Sequence, residues 1–397
     1  MKILIVSQVF YPENFIINDF CKHLIENGHN VTVITGKPNY PKGNFFEGFG
    51  YFSKVKDKYL GCTVYRLPIY PRKNASNLNL ILNYLSFAFF GSIFSLFFRK
   101  KFDFSFVFAV SPITSAFPAI IHKFFYGTKL YLWVLDLWPE SVTVGNRLNS
   151  KILIRLLKNL VGYIYKHSDR IYISSSLMKK SIIKYQSYNS NFDIKHFPNW
   201  IRNFKSISDS KKYQDLVPNG FNIMLAGNIG VSIDYSNIIR AAKLLNNYEK
   251  INFLIVGSGS QEFKFKSEVN NCGLSNKIFF LGRYQNNEMP HFYVHADLML
   301  ISLADNELYS YTVPEKLQSY MSMKKTIIGM VSGESNQLIK KSGAGLSSNA
   351  GDYKALADNI RVLYEMSEVE RNKFGEKGYQ YALNNFDLSK NIDNILN

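Results

Sequence analysis

Short β-branched apolar runs alternate with helix-length stretches along this chain, and the alternation stops near residue 196 and restarts near residue 222. Lys2–Ser7, Val31–Thr35, Thr63–Leu67, Phe104–Val110, Leu130–Leu135 and Arg170–Ser174 read as strands, with a helix over Asn18–Asn27 closed by Gly28. Asn222–Ala226, Asn252–Val256, Ile278–Leu281, Leu298–Ile301 and Thr326–Gly329 form the second series, with a helix over Tyr235–Leu245. Runs that are apolar throughout, without polar alternation, belong to strands covered on both faces. The pattern therefore predicts an α/β chain of two Rossmann-like, doubly wound parallel sheets, whose ligands bind outside the carboxyl ends of the strands. The polar, proline-bounded segment 196–220 is expected to join the halves.

Composition narrows the function classes. With 46% apolar and 19% charged residues the chain is no disordered polyelectrolyte. A net charge of +17 favours an anionic partner: nucleic acid, a phosphorylated small molecule or an acidic membrane surface. Cys21, Cys62 and Cys272 lie far apart, which argues against a disulfide framework or a structural zinc site. The opening MKILIVSQVFYPENF lacks the apolar length and cleavage site of a secretory signal, so the chain is expected to be cytoplasmic.

One segment sits badly in a soluble sheet domain. From Asn74 to Phe98 no residue carries a charge, and Arg72-Lys73 and Arg99-Lys100-Lys101 flank it. Its length suits a membrane span. Asn79, Asn83, Ser86, Ser92 and Ser95 punctuate it, however, and Phe104–Val110 must rejoin the sheet of Ile3–Val6. The expectation is a membrane-associating helix or helical hairpin dipping into one leaflet beside basic residues that meet anionic headgroups, with a buried core helix as the competing reading.

Several residues can carry chemistry. Gly227-Asn228-Ile229-Gly230 lies between a strand and a helix, where backbone N–H groups can approach a phosphate; a tight turn is the plainer reading. Gly257-Ser258-Gly259 is a fragment of a dinucleotide fingerprint without its third glycine, and no Walker A motif occurs. Pro314 suits a helix start, which puts Glu315 and Lys316 at a helix N-terminus. A cation there opposes the helix dipole unless an anion docks beside it. Asp136 ends an apolar strand at its carboxyl edge, and Asp136 and Glu140 are candidate general bases or acceptor-hydroxyl partners. Trp133 and Trp138 flank Asp136 and serve either sugar stacking or packing. No D-x-D, no metal-spaced His/Cys/Asp cluster and no G-x-S-x-G elbow is present, so neither a protein-bound metal nor an α/β-hydrolase is expected.

These residues together carry a resemblance. The opening KILIVSQVFYPE, the DLWPES stretch, the AGNIG loop and TVPEKLQSYMS followed by KKTII resemble the retaining family 4 glycosyltransferases of the GT-B fold, across nearly the whole chain. The likeness is greatest to the O-antigen and capsule branch that includes N-acetyl-L-fucosamine transferases. It implies two facing Rossmann-like domains with a cleft between them. Residues 1–198 would form an acceptor-binding domain with the membrane-associating segment 74–98, residues 199–380 a nucleotide-sugar-binding domain, and residues 381–397 a helix crossing back to the first domain.

Carried over by position, Gly227, Asn228, Gly230 and Lys316 would contact the donor diphosphate, with Arg283 near the base and Glu315 alongside. Asp136, Glu140 and Lys316 would be catalytic; Asn14, Trp138 and Pro139 would lie on the acceptor and sugar side. Two departures stand out. The family's E-x7-E motif is replaced by Tyr311 and Ser319, leaving Glu334 as the substitute ribose contact, and Val231-Ser232-Ile233-Asp234 stand where many members have an Arg and a Lys.

What the resemblance implies is retaining transfer of a sugar from a nucleoside diphosphate, UDP foremost, to an undecaprenyl-diphosphate-linked saccharide. The enzyme would need no cofactor and would work as a peripheral protein at anionic lipid on the cytoplasmic face of the inner membrane. A non-catalytic nucleotide-sugar binder is the alternative. Nucleic-acid binding has little support, because the basic residues are dispersed among Asn and Phe.

Overall fold

In the computed structural model, residues 1–144, 150–186, 191–201 and 211–396 are described, and they divide into two compact units, Met1–Phe197 and Pro198–Asn397. Of the connection expected at 196–220, residues 202–210 lie outside the described set.

The first unit is built on eight strands: β1 Lys2–Ser7, β2 Asn30–Gly36, β3 Lys56–Tyr59, β4 Cys62–Leu67, β5 Phe104–Ala109, β6 Lys129–Val134, β7 Arg170–Ile173 and β8 Ile194–His196. Their order across the sheet is β3-β4-β2-β1-β5-β6-β7-β8, and all pairs are parallel except β3 with β4. Ile3, Leu4, Ile5 and Val6 of β1 are all fully buried, which is why that run shows no polar alternation. Strand order reverses direction between β1 and β5, so the crevice at their carboxyl ends is the switch point where ligands of such sheets bind.

The second unit carries β9 Phe221–Ala226, β10 Ile251–Val256, β11 Ile278–Gly282, β12 Leu298–Ser302, β13 Thr326–Met330 and β14 Gly345–Ser348. The order is β11-β10-β9-β12-β13-β14, every pair parallel, with the switch point between β9 and β12. Helices Tyr235–Leu244 and Tyr353–Glu365 bury Ile238, Ala242, Leu356 and Ile360 against one face, and helix Glu315–Ser322 buries Leu317, Tyr320 and Met321 against the other. Helix Leu388–Leu396 closes the described chain.

The apolar segment forms one continuous helix, Asn77–Phe97, started by Ser76, whose hydroxyl accepts from the Asn79 N–H. It is neither a hairpin nor a core helix. Its inward stripe is Asn83, Phe87, Gly91 and Ser95, one turn apart, while Leu85, Phe89 and Phe97 point outward.

Candidate active site

In the second unit three glycine turns meet at the carboxyl ends of adjacent strands. The Gly227 N–H donates to the Val256 carbonyl (2.9 Å), the Ile229 N–H to that of Ser258 (3.0 Å) and the Gly257 N–H to that of Gly282 (2.7 Å). The approach is so close that a Cβ on Gly257, whose φ is +150°, would lie 1.8 Å from the Gly227 oxygen, and one on Gly259 2.3 Å from that of Ile229. Gly257-Ser258-Gly259 is thus a packing device, not a phosphate fingerprint, and it holds the 227–230 turn in shape. The Asn228 amide folds between Gly230 and Gly259, and only glycine leaves it room on both sides.

Lys316 reaches this turn from the helix Glu315–Ser322, whose N-cap is Pro314. Its Nζ lies 3.7 Å from where a Cβ on Gly227 would stand. The helix is pinned to the strand end by the Tyr320 hydroxyl, which accepts from the Ala226 N–H (3.2 Å). Among the described residues no hydrogen-bond or ion-pair partner meets the Lys316 ammonium, and burial draws its pKa down to about 8. A half-buried cation without a partner among the described residues, set beside a glycine turn at the carboxyl ends of the strands, is a candidate anion site.

The other residues implicated by sequence share that carboxyl edge. Arg283 follows β11 and is exposed; Glu334 lies in the first turn of helix Gly333–Ser342 after β13; Glu315 is exposed; and the Ser319 hydroxyl turns back to the Glu315 carbonyl (3.4 Å). In the departure at 231–234, Asp234 caps helix Tyr235–Leu244 by accepting from the Asn237 N–H (3.2 Å), so that position serves the helix. Sequence reasoning missed Ser302, whose buried hydroxyl at the end of β12 has no partner among the described residues, because one serine ending an apolar run carries no pattern.

In the first unit, Asp136 follows β6 and accepts from the Ser111 hydroxyl (2.8 Å), which in turn accepts from the Trp138 indole N–H (3.0 Å). Burial lifts Asp136 to about 6, the serine bond offsetting only part of the desolvation. Glu140 belongs to a separate set: it accepts from Ser181 (3.0 Å), and its other oxygen is buried without a partner among the described residues. The structure does not bring the two carboxylates into one hydrogen-bonded pair. Trp138 is 7% exposed and packs edge-on against Tyr84, so packing, not sugar stacking, occupies its ring; Trp133 is fully buried. Pro139 is buried as N-cap of the short helix Glu140–Thr143, and Asn14 is exposed in the loop after β1.

That loop also holds a group not foreseen from sequence. The buried Glu13 carboxylate accepts from the N–H groups of Asn39 (2.8 Å), Tyr40 (2.7 Å) and Phe10 (3.2 Å), tying the loops after β1 and β2 together. Gln8 donates to Asn83 (2.6 Å), which joins the loop to the apolar helix. Among the described residues no cluster of three or more His, Cys, Asp or Glu suits a metal ion.

Residues 214–381 match the family model for glycosyl transferases group 1. The matched stretch includes the glycine turn, Lys316, Arg283 and Glu334. The chain is 27% identical over 296 residues to a protein of Escherichia coli K12 provisionally named the colanic acid biosynthesis glycosyl transferase WcaI, covering 70% of this chain and 71% of that one. Two solved structures share the fold. Sucrose-phosphate synthase of Thermosynechococcus elongatus superposes with a TM-score of 0.74 at 14% identity, over 99% of this chain and 96% of that one. Anabaena HepE, solved with UDP and glucose, gives 0.68 at 17% identity over 100% and 98%. The likeness to these structures shows the fold, two α/β units with parallel sheets as in GT-B glycosyltransferases.

Proposed function

We propose that this chain is a glycosyltransferase that moves a sugar from a nucleoside diphosphate, UDP foremost and with N-acetyl-L-fucosamine as the leading candidate sugar, to a lipid-linked saccharide during assembly of a bacterial surface polysaccharide. The observation that carries the reading is the Lys316 ammonium beside the Gly227 turn, without a partner among the described residues. The name of the Escherichia coli relative, which refers to colanic acid biosynthesis, and the UDP and glucose held by HepE support the choice of pathway class and donor.

In this reading the donor diphosphate lies against the 227–230 turn, and its charge grows as the bond to the sugar breaks. Lys316 and the N-terminus of its helix stabilise that growing charge more than the ground state, which is how a preorganised cation accelerates departure. The same ammonium supplies the positive charge that a metal ion would otherwise bring, so transfer is proposed to be metal-independent. Arg283 and Glu334, at the carboxyl ends of β11 and β13, are the proposed base and ribose contacts. Asp136, partly desolvated and held by Ser111, is the acceptor-side candidate. Retention at the anomeric carbon by same-face attack, an undecaprenyl-diphosphate-linked acceptor and the cytoplasmic face of the inner membrane complete the proposal.

The deciding experiment is a thermal-shift screen of the full chain against UDP-, GDP- and dTDP-sugars, followed by transfer of labelled sugar to extracted lipid-linked acceptor. A ligand of the native state raises the melting temperature by mass action. No shift with any nucleotide sugar at millimolar concentration would overturn the reading.

A further inference from the structure

The helix Asn77–Phe97 has its amphipathicity reversed. A helix on the surface of a protein in water turns its apolar side inward. Here Asn83, Gly91 and Ser95 face the protein together with one apolar residue, Phe87, while Leu78 (66% exposed), Leu85 (55%), Phe89 (60%) and Phe97 (71%) form a stripe facing away from it along the whole length. The inward face is held tightly. Asn83 accepts from Gln8 (2.6 Å) and donates to the Tyr70 carbonyl (2.6 Å), the Ser86 hydroxyl accepts from the Tyr70 N–H (2.8 Å), and a Cβ on Gly91 would fall 2.5 Å from Pro118.

The outward stripe continues past the helix. Phe124 (81% exposed) and Phe125 stand on helix Phe117–Tyr126, and the Tyr126 hydroxyl of that helix donates to the Leu96 carbonyl (2.6 Å). On another side lies a groove of about 430 Å³ lined by Phe52, Leu67, Phe90, Phe94 and Phe97, with no charged side chain in its lining. Exposed Lys73 precedes the helix, and exposed Arg99, Lys100 and Lys101 follow it. Apolar surface of this extent, rimmed by cations, fits an anionic bilayer.

Sheet topology decides the orientation. β4 precedes the helix and β5 follows it, and both belong to one sheet through β2 and β1. A crossing would leave those strands on opposite sides of the membrane. We propose that the Asn77–Phe97 helix lies in the plane of one anionic leaflet, its outward stripe and the adjoining groove sunk among lipid chains and its basic flanks at the headgroups. This rests on the first unit alone and is independent of the sugar-transfer reading.

The test uses the full chain and vesicles. Wild type is expected to float with vesicles of phosphatidylethanolamine and phosphatidylglycerol, at least tenfold more than with phosphatidylcholine alone. The double variant Leu85→Glu/Phe89→Glu should lose flotation while keeping the wild-type melting temperature, since both side chains already face outward. Equal flotation of the variant, or none by wild type, would overturn the proposal. Orientation is read from nitroxides on Leu78→Cys, Phe89→Cys and Phe97→Cys in a Cys272→Ser background, the other two cysteines being buried. Equal depths at the three stations are expected; a steady gradient from one end to the other would mean a crossing helix and sink the in-plane arrangement. Because nucleotide-sugar shifts are measured without vesicles, failure here leaves that assay untouched.

Discussion

The Lys316 ammonium stands 3.7 Å from the point where a side chain on Gly227 would begin, and among the described residues nothing pairs with it. Burying a cation without a partner works against folding and is relieved when an anion arrives. Lys316→Met is therefore expected to lower turnover by about 10²–10³-fold, the loss typical of removing one preorganised stabiliser of developing charge. The same change should raise stability at pH 7. The shift from the ordinary lysine value sets a ceiling of about 3 kcal/mol, and partial exposure brings the expected gain to about 1–2 kcal/mol. Steady-state kinetics and denaturant melts measure both; wild-type turnover in the variant would remove Lys316 from the mechanism.

The pH dependence of that gain has a definite sign. Lys316 titrates near 8 in the folded chain and near 10.5 unfolded, so between these values the unfolded state binds more protons and native stability rises with pH. The advantage of Lys316→Met should accordingly be full below pH 8 and shrink as pH climbs toward 10.5. Denaturant melts of both proteins at pH 7, 8.5 and 9.5 read this directly, and an advantage that is flat across the three would contradict the cause given.

Asp136 runs the other way. Its carboxyl titrates near 6 folded against 3.8 unfolded, so the native state holds the extra proton in that window and stability falls as pH rises through it. Asp136→Asn should be more stable than wild type above pH 6, with the difference vanishing near pH 4. If the ionised carboxylate serves the acceptor, kcat/KM climbs with an apparent pKa near 6 and falls again near 8 as free Lys316 loses its proton, giving a bell. Asp136→Asn should lack the acid limb.

The sheets were legible from sequence because their central strands are buried on both faces and show it as unbroken apolar runs. β1 matches its expected limits, and the other central strands end within a residue or two of theirs. Three of the four edge strands gave no such signal: β3 is Lys-Asp-Lys-Tyr, β8 Ile-Lys-His and β14 Gly-Leu-Ser-Ser, whereas the edge strand β11, Ile-Phe-Phe-Leu-Gly, was readable from its apolar run. Lys316 was readable through the mismatch between its charge and the helix dipole. Partnership was not. Whether Glu140 would face Asp136 or Ser181 depends on a helix about forty residues further along the chain, and which side of the charge-free helix would turn inward depends on Gln8 and Tyr70 waiting for Asn83. Contacts between distant segments leave no periodicity to read.

The glycine turns make a prediction about shape. Gly257→Ala would put a Cβ 1.8 Å from the Gly227 carbonyl oxygen at a φ of +150°, so the turn must open. A loss of about 3 kcal/mol or more is expected from the clash and the strained backbone together. Gly28→Ala is the control. It has a φ of +78° but nothing within 4 Å, and should cost about 1 kcal/mol, the strain alone. The Gly257 variant should also lose the nucleotide-sugar thermal shift while the Gly28 variant keeps it; the reverse ranking would dissociate the turn from the donor.

Glu13 offers a test of the loop scaffold in the first unit. Its carboxylate accepts from three backbone N–H groups across two loops, yet desolvation outweighs those bonds and leaves its pKa raised. Relative to water, the folded site thus favours the neutral form over the charged one, and what matters is the acceptor oxygen, not the charge. Glu13→Gln keeps one such oxygen and should cost less than about 1 kcal/mol. Glu13→Ala leaves three buried donors without a partner and should cost about 2–4 kcal/mol, since an orphaned donor bears its full desolvation penalty. Denaturant melts of the two variants separate the explanations: an equal and large loss in both would mean that the charge itself holds the loops.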